Sequence, residues 1–589
     1  MAMTISLTSA MGVAPASGQA LVLNPSDVLP DLEAAATDTK VFYINGAQTH
    51  GLQDGIDRGR LYTSSNTSKL IISLVALRLS EMGLIVPEAS VSDYLPGIVP
   101  ADPYEAPITI RHLLQETAGF ASPPLSLKPH KLDMPLDGAK LRRFAIKLRS
   151  PNQASSHDPV GWAVLVALME HASGKPFSQL VTEHVTAPLG LPADSIMVNY
   201  QSLGGTAVSV VTQVSLEAFA EIVRPLIRNR GQAGNAYLER SVHRALVQGA
   251  GGFRLHPNSP AASSGISIRS RGGLSWIEGL NSDCNDPLAF IAFAQQGTAF
   301  IAANNNRPSA NSCPAAIVRS AGLSQANKYF PPMAGPSANG FDLARPSKLE
   351  GRYIPARRSP AALADRLAIM QADWLTIYGH EGAKLEMKRQ NGDTVSFAET
   401  GPYQYEATGE NTAENASVST MLFSPYRLGG YLLLGSTGNN DTLFRRVDIL
   451  GRSGPLANLM PWALLIVASA GLYAFRQPTK PWRNMGRFAL AGALLVGGGL
   501  YFEINSWASV LYEQHQPALI TLWRTGLNIG LMLLLALPMF VFSFSKNRTI
   551  PTGGAKTLVG PHLTLVAAAA LVIFLTMILW GVAGTFAPY

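Results

Sequence analysis

Lys69 has the clearest chemical potential in the chain because of what stands around it. Three positions earlier is Asn66, with Ser65 before it and Ser68 after it. Residues three apart share a helix face. A hydroxyl in the place of Asn66 could therefore attack a carbonyl while Lys69 accepts or relays its proton. Asparagine offers an amide instead, which has no ionisable hydroxyl and forms no acyl-enzyme. Ser65 lies four residues before Lys69, and using it would swing the hydroxyl by about 100° around the helix. Ser68 is the immediate neighbour of Lys69. A second group is His157-Asp158-Pro159, just ahead of Gly161-Trp162, where His157 with Asp158 could act as a base toward bound water. Arg271-Gly272-Gly273 supplies a positive charge. His171 and His184 follow no familiar ligand spacing, so neither metal nor cofactor is expected. Gly249-Ala250-Gly251-Gly252-Phe253 is not a phosphate loop, because no Lys-Ser/Thr follows. His380-Glu381-Gly382 and Asn304-Asn305-Asn306 read as turns.

The elements that must carry these groups follow from periodicity. Leu70, Leu74, Leu77 and Leu79 predict a helix over 68–82, and similar patterns predict helices over 159–172 and 216–228. Short strand-like runs fall at 40–44, 288–294 and 299–303. Residues 40–306 therefore read as one mixed α and β domain, preceded by a flexible stretch, 1–39. A connection rich in Pro, Ser, Asn and Ala covers 307–348. Short candidate strands between Gly, Asn and Asp turns make 349–452 a small all-β module.

Of the 589 residues only 14% are charged and 47% are hydrophobic, with 46 basic and 39 acidic residues giving +7. That low charge argues against a nucleic-acid binder, whose basic residues would cluster in a stripe. Apolar runs at 456–475, 488–502, 518–544 and 563–586 predict a bundle of four transmembrane helices over 453–589. Arg476, Lys480, Arg483 and Arg487, then Lys546, Arg548 and Lys556, fall between the runs. They orient those loops inward and the N-terminal domain and Tyr589 outward. Arg524 lies inside the third run and is read as snorkelling to the interface. The first twenty residues resemble a signal-peptide remnant without a basic region. The expected location is thus a bacterial inner membrane, with the large domain in the periplasm. Cys284 and Cys313, the only cysteines, could pair there.

Local strings tie residues 40–306 to a known group. Ser65-Asn66-Thr67-Ser68-Lys69 is followed by Ile108-Thr109-Ile110-Arg111-His112-Leu113-Leu114 and Glu116-Thr117-Ala118-Gly119-Phe120. Later come Glu170-His171-Ala172-Ser173-Gly174-Lys175-Pro176-Phe177 and Ala187-Pro188-Leu189-Gly190-Leu191. In this order they resemble the serine β-lactamase and penicillin-binding-protein-like hydrolases, close to class C β-lactamases and D-alanyl-D-alanine carboxypeptidases. With Leu349-Glu350-Gly351-Arg352-Tyr353 the layout looks like the membrane-anchored, prodrug-activating peptidases of nonribosomal-peptide pathways. The resemblance implies an α+β fold, an antiparallel sheet flanked by helices. It also implies three motifs: Ser-x-x-Lys, Tyr-x-Asn and Lys/His-x-Gly.

Set against those motifs, Lys69 is present, but Asn66 stands where the serine belongs, His157 where the tyrosine belongs and Arg271 where the third motif begins. The site therefore looks degenerate. The expected function is that of a catalytically silent pseudoenzyme, a membrane-tethered binding or scaffold subunit. Its expected partners are a peptide or peptidoglycan-like ligand, or a membrane complex. An active serine hydrolase or peptidase, using Ser65 or Ser68 with Lys69, stays open as the alternative.

Overall fold

A computed structural model describes most of residues 39–97, 107–120, 159–304, 349–355 and 375–447, helical segments between 453 and 579, and scattered residues between. The N-terminal domain is built on a seven-stranded antiparallel sheet. Its strands are β1 (Thr39–Asn45), β2 (Gln48–Gly51), β7 (Ala261–Ser263), β8 (Ile266–Arg271), β9 (Leu274–Gly279), β10 (Leu288–Phe293) and β11 (Thr298–Asn304). They are ordered β2-β1-β11-β10-β9-β8-β7. Every residue of β10 and β11 is buried, which explains why both read as unbroken apolar runs: a central strand covered on both faces has no polar side to alternate with. A second sheet, β3 (Leu61–Ser64), β6 (Ala207–Ser215), β5 (Ile196–Leu203) and β4 (Pro129–Lys131), stands in that order.

Helix α1 (Ser65–Glu81) runs directly out of β3. The Ser64 side chain accepts a hydrogen bond from the Thr67 N–H at 3.1 Å, satisfying one of the four free N–H groups of the first turn. Helix α2 (Ile110–Leu114) is capped by Thr109. Helix α3 (Pro159–Ser173) is buried from Pro159 to Met169. Helix α4 (Leu216–Arg228) lies on the sheet, with Phe219 edge-on to Phe290 at 5.8 Å. Leu70, Leu74 and Leu79 of α1 join Val164, Leu168, Phe219 and Phe290 in one core. Cys313 is buried and disulfide-bonded, and Cys284, the other cysteine, lies outside the described residues.

Eight further antiparallel strands, from β12 (Gly351–Pro355) through β15 (Thr394–Gly401) and β16 (Gln404–Thr408) to β19 (Asp441–Val447), close into a barrel. Alternate residues point inward, and Tyr353, Ile377, Met387, Phe397, Tyr405 and Phe423 fill the interior.

The expectation of a C-terminal transmembrane bundle is corrected here. Helices α5 (Ser453–Ala474), α6 (Lys480–Ala508) and α7 (Lys556–Leu579) pack together through Val467, Ala489, Val496 and Ile573, but among the described residues no helix is long and apolar enough to cross a membrane. In α6 the apolar run is bracketed by Arg487 and Glu503. The first turns of α7 hold Lys556, Pro561 and His562. Apolar composition had suggested spans that the described helices do not bear out. The signal-peptide-like stretch and Arg524 lie outside the described residues.

Candidate functional site

Lys69 projects from α1 into a small cavity of about 80 Å³. Leu114, Gln115 and Glu116 wall it on one side, and Gly265, Ser267 and Glu278 on the other. The Lys69 Nζ lies 2.6 Å from Glu116 Oε1, with both side chains at least 85% buried. The same oxygen accepts a hydrogen bond from Trp162 Nε1 of α3 at 2.9 Å. A charge-assisted contact of this kind is shorter and stronger than a neutral hydrogen bond.

The backbone explains how Glu116 reaches this place. Helix α2 ends in a Schellman motif: the Glu116 N–H donates to the Leu113 carbonyl at 3.1 Å and the Thr117 N–H to the His112 carbonyl at 2.8 Å. That motif needs one residue in the left-handed region, usually glycine. Glu116 fills it at φ 55°, at a cost of roughly 1 kcal/mol for its Cβ. In return its carboxylate points back across α2 toward α1.

A two-residue turn closes the cavity from above. Ser264 and Gly265, both at positive φ (50° and 71°), join β7 to β8 in the geometry that suits a tight hairpin. The Gly265 N–H donates to the Leu114 carbonyl at 3.1 Å, pinning the turn to α2. A Cβ on Gly265 would stand 2.8 Å from Lys69 Cβ and 3.0 Å from the Trp162 ring. Glycine is therefore required twice over, by conformation and by space.

On β9, Glu278 is almost fully buried. It accepts from Trp276 Nε1 at 2.8 Å and from Arg269 Nε at 3.0 Å. The cavity thus carries two carboxylates, each matched to a cation: Lys69 with Glu116 and Arg269 with Glu278. That charge balance is what burial demands.

The residues singled out from the sequence are distributed differently. Asn66 occupies α1 one turn before Lys69, with its side chain outside those described. Ser65 donates both its N–H and its hydroxyl to Asp286 Oδ2, at 2.9 Å each. A carboxylate at the helix N-terminus also suits the helix dipole. Ser68 is buried on the opposite side, where its hydroxyl donates to the Ser64 carbonyl at 2.5 Å and accepts from the Thr212 N–H at 2.7 Å. Among the described residues no serine hydroxyl is bonded to Lys69. Ser155, at the cavity wall, donates to the Gln115 carbonyl at 3.0 Å. His157 and Asp158 lie outside the described residues. Arg271 ends β8 opposite Leu274, with its side chain outside those described. Helix α3 holds His171 near its end. The ring of His184, in the segment Thr182–Thr186, has its pKa held below the ordinary imidazole range by burial. Glu116, Trp162, Gly265 and Glu278 went unrecognised as site residues. Glu116 did stand in a string that carried the resemblance, and Trp162 was noted only as the marker after His157-Asp158-Pro159, but no local spacing connects positions 69, 116, 162, 265 and 278.

Comparison with known proteins bears on the same segment. Residues 41–202 match the Beta-lactamase family model. An esterase, EstB, from Burkholderia gladioli is 33% identical over 145 residues, which cover 22% of this chain and 37% of the esterase. Penicillin-binding protein 4* of Bacillus subtilis is 27% identical over 142 residues, covering 22% of this chain and 29% of that protein. The chain therefore spans about a third of the length of these relatives. Among solved structures, the octameric penicillin-binding protein homologue from Pyrococcus abyssi superposes with a TM-score of 0.40 at 11% identity, covering 71% of this chain and 98% of that one.

Proposed function

Because residues 41–202 match the Beta-lactamase family model, we propose that the chain keeps that family's fold while acting without an acyl-enzyme, as a binding protein. The observation that carries this reading is the Lys69–Glu116 ion pair. In the family's chemistry the lysine serves a hydroxyl one turn earlier; here the ammonium is held by a carboxylate and position 66 is an amide. The neighbouring hydroxyls support the same reading, since Ser65 is bonded to Asp286 and Ser68 to β6. So does size. At about 80 Å³ the cavity is well below the roughly 300 Å³ at which small-molecule pockets begin. A peptide or cell-wall fragment would then lie across its mouth rather than enter it.

The match to an esterase favours a second reading, in which the chain hydrolyses esters with a hydroxyl other than one at position 66. Turnover separates the two. Purified full-length protein, incubated with a chromogenic cephalosporin, p-nitrophenyl acetate and a D-alanyl-D-alanine peptide, is expected to match the buffer blank with all three. Turnover that disappears in Lys69→Met would overturn the binding-protein reading.

A further inference from the structure

We propose that Glu116 is a lock on Lys69, so that restoring a hydroxyl at position 66 does not by itself restore acyl transfer; this rests on the non-acylating reading of the same pocket. A relay lysine must turn its nitrogen toward the attacking hydroxyl. Here that nitrogen is 2.6 Å from Glu116 Oε1, and the carboxylate is held in place. Trp162 Nε1 donates to the same oxygen, and the two bonds of the Schellman motif set the backbone of Glu116. The Gly265 turn packs against the base of the lysine, where a Cβ added to Gly265 would stand 2.8 Å from Lys69 Cβ.

The turn itself does not ask for glutamate. A left-handed C′ residue is best served by glycine, and next by asparagine. The side chain is instead accounted for by the charge it meets. An ion pair that merely joined α1 to α2 would predict nothing about reactivity, whereas a lock predicts that freeing Lys69 raises it.

The reaction to be restored balances without any further reactant. The introduced hydroxyl oxygen attacks the carbonyl carbon of a β-lactam and forms an ester bond to it. The lactam C–N bond breaks, and the hydroxyl proton passes through Lys69 Nζ to the departing nitrogen.

Four full-length proteins test the lock: the unchanged chain, Asn66→Ser, Glu116→Gln, and Asn66→Ser with Glu116→Gln. Glutamine preserves the acceptor for Trp162 and removes the charge. The readout is the second-order rate of labelling by a fluorescent penicillin, with the site checked by intact mass. The double variant is expected to label at least tenfold faster than Asn66→Ser, and adding Lys69→Met is expected to abolish the gain. Equal rates for the single and double variants would overturn the lock. A double variant that melts like the unchanged chain yet takes no label would overturn it too. Should the glutamine variant fail to fold, Glu116→Asn, which suits a positive φ, gives the same ratio. An adduct on the unchanged chain, or on Glu116→Gln alone, would instead overturn the non-acylating reading, a separate result from the ratio.

Discussion

The Lys69 cavity and the interior of the barrel both bury polar groups, and they treat them in opposite ways. Around Lys69 each charge meets a partner: Glu116 for the lysine, Arg269 for Glu278. In the barrel, Tyr405 is fully buried and, among the described residues, its hydroxyl has no hydrogen-bond partner. Its ring stands edge-on to Phe423 at 5.7 Å. Burial, then the charge of Glu399 directly across the β15–β16 ladder, pushes its phenol well above the usual range. The first region is arranged around charge and uses an unfavourable backbone conformation to complete it. The second is arranged around aromatic packing and tolerates an unsatisfied hydroxyl, which typically costs about 1–3 kcal/mol. A polar group that the fold goes out of its way to pair is the better guide to a site.

That contrast can be broken by substitution. Glu116→Ala should have the largest effect, a loss of about 3 kcal/mol in urea unfolding followed by tryptophan fluorescence, because it leaves the Lys69 ammonium buried and unmatched. A loss below about 0.5 kcal/mol would mean that water already screens the pair. Gly265→Ala should follow at about 2 kcal/mol, combining a positive φ with a crowded Cβ; a neutral result would mean that the turn moves freely away from Lys69. Tyr405→Phe should go the other way and stabilise by about 1 kcal/mol, since it removes an unpartnered hydroxyl. A loss of stability there would reveal a partner and make the two regions alike.

The smallest effect concerns acid. Burial is the main cause holding both His184 and His243 below the ordinary imidazole range. A folded-state value below the unfolded one means the contribution to stability is complete above about pH 6.5 and fades as pH falls through the lowered value. Melting temperature should decline by a few degrees as pH falls from 7 through that range, and His243→Gln should flatten part of the slope. A flat profile in the unchanged chain would contradict the assignment.

How much of this was legible in the sequence depends on how local each feature is. Helix α4 runs from Leu216 to Arg228, as its periodicity predicts, because Ser215 caps one end and Asn229 closes the other in the left-handed region. Helix α1 begins three residues earlier than its apolar pattern, at Ser65, since Ser64 and Asp286 satisfy its first N–H groups before the first leucine. Short strands between turns were readable over 349–452, but the closure into a barrel depends on β12 meeting β19, almost a hundred residues away. At the C-terminus, composition placed helices but not spans: among the described residues none is long and apolar enough to cross a membrane. The candidate site was half visible. Lys69 and the amide before it stand out once they are set against the Ser-x-x-Lys motif that the resemblance implies. Glu116 could not, because its role depends on a left-handed turn that aims one carboxylate across two helices.

The most direct measurement is the intact mass of the purified chain after prolonged exposure to penicillin and, separately, to a fluorophosphonate. An unchanged mass in both cases, from protein that melts cooperatively, is the result expected of a chain whose Lys69 is held by a carboxylate. A stoichiometric mass increase mapped to Ser65, Ser68 or any other hydroxyl beside Lys69 would contradict it.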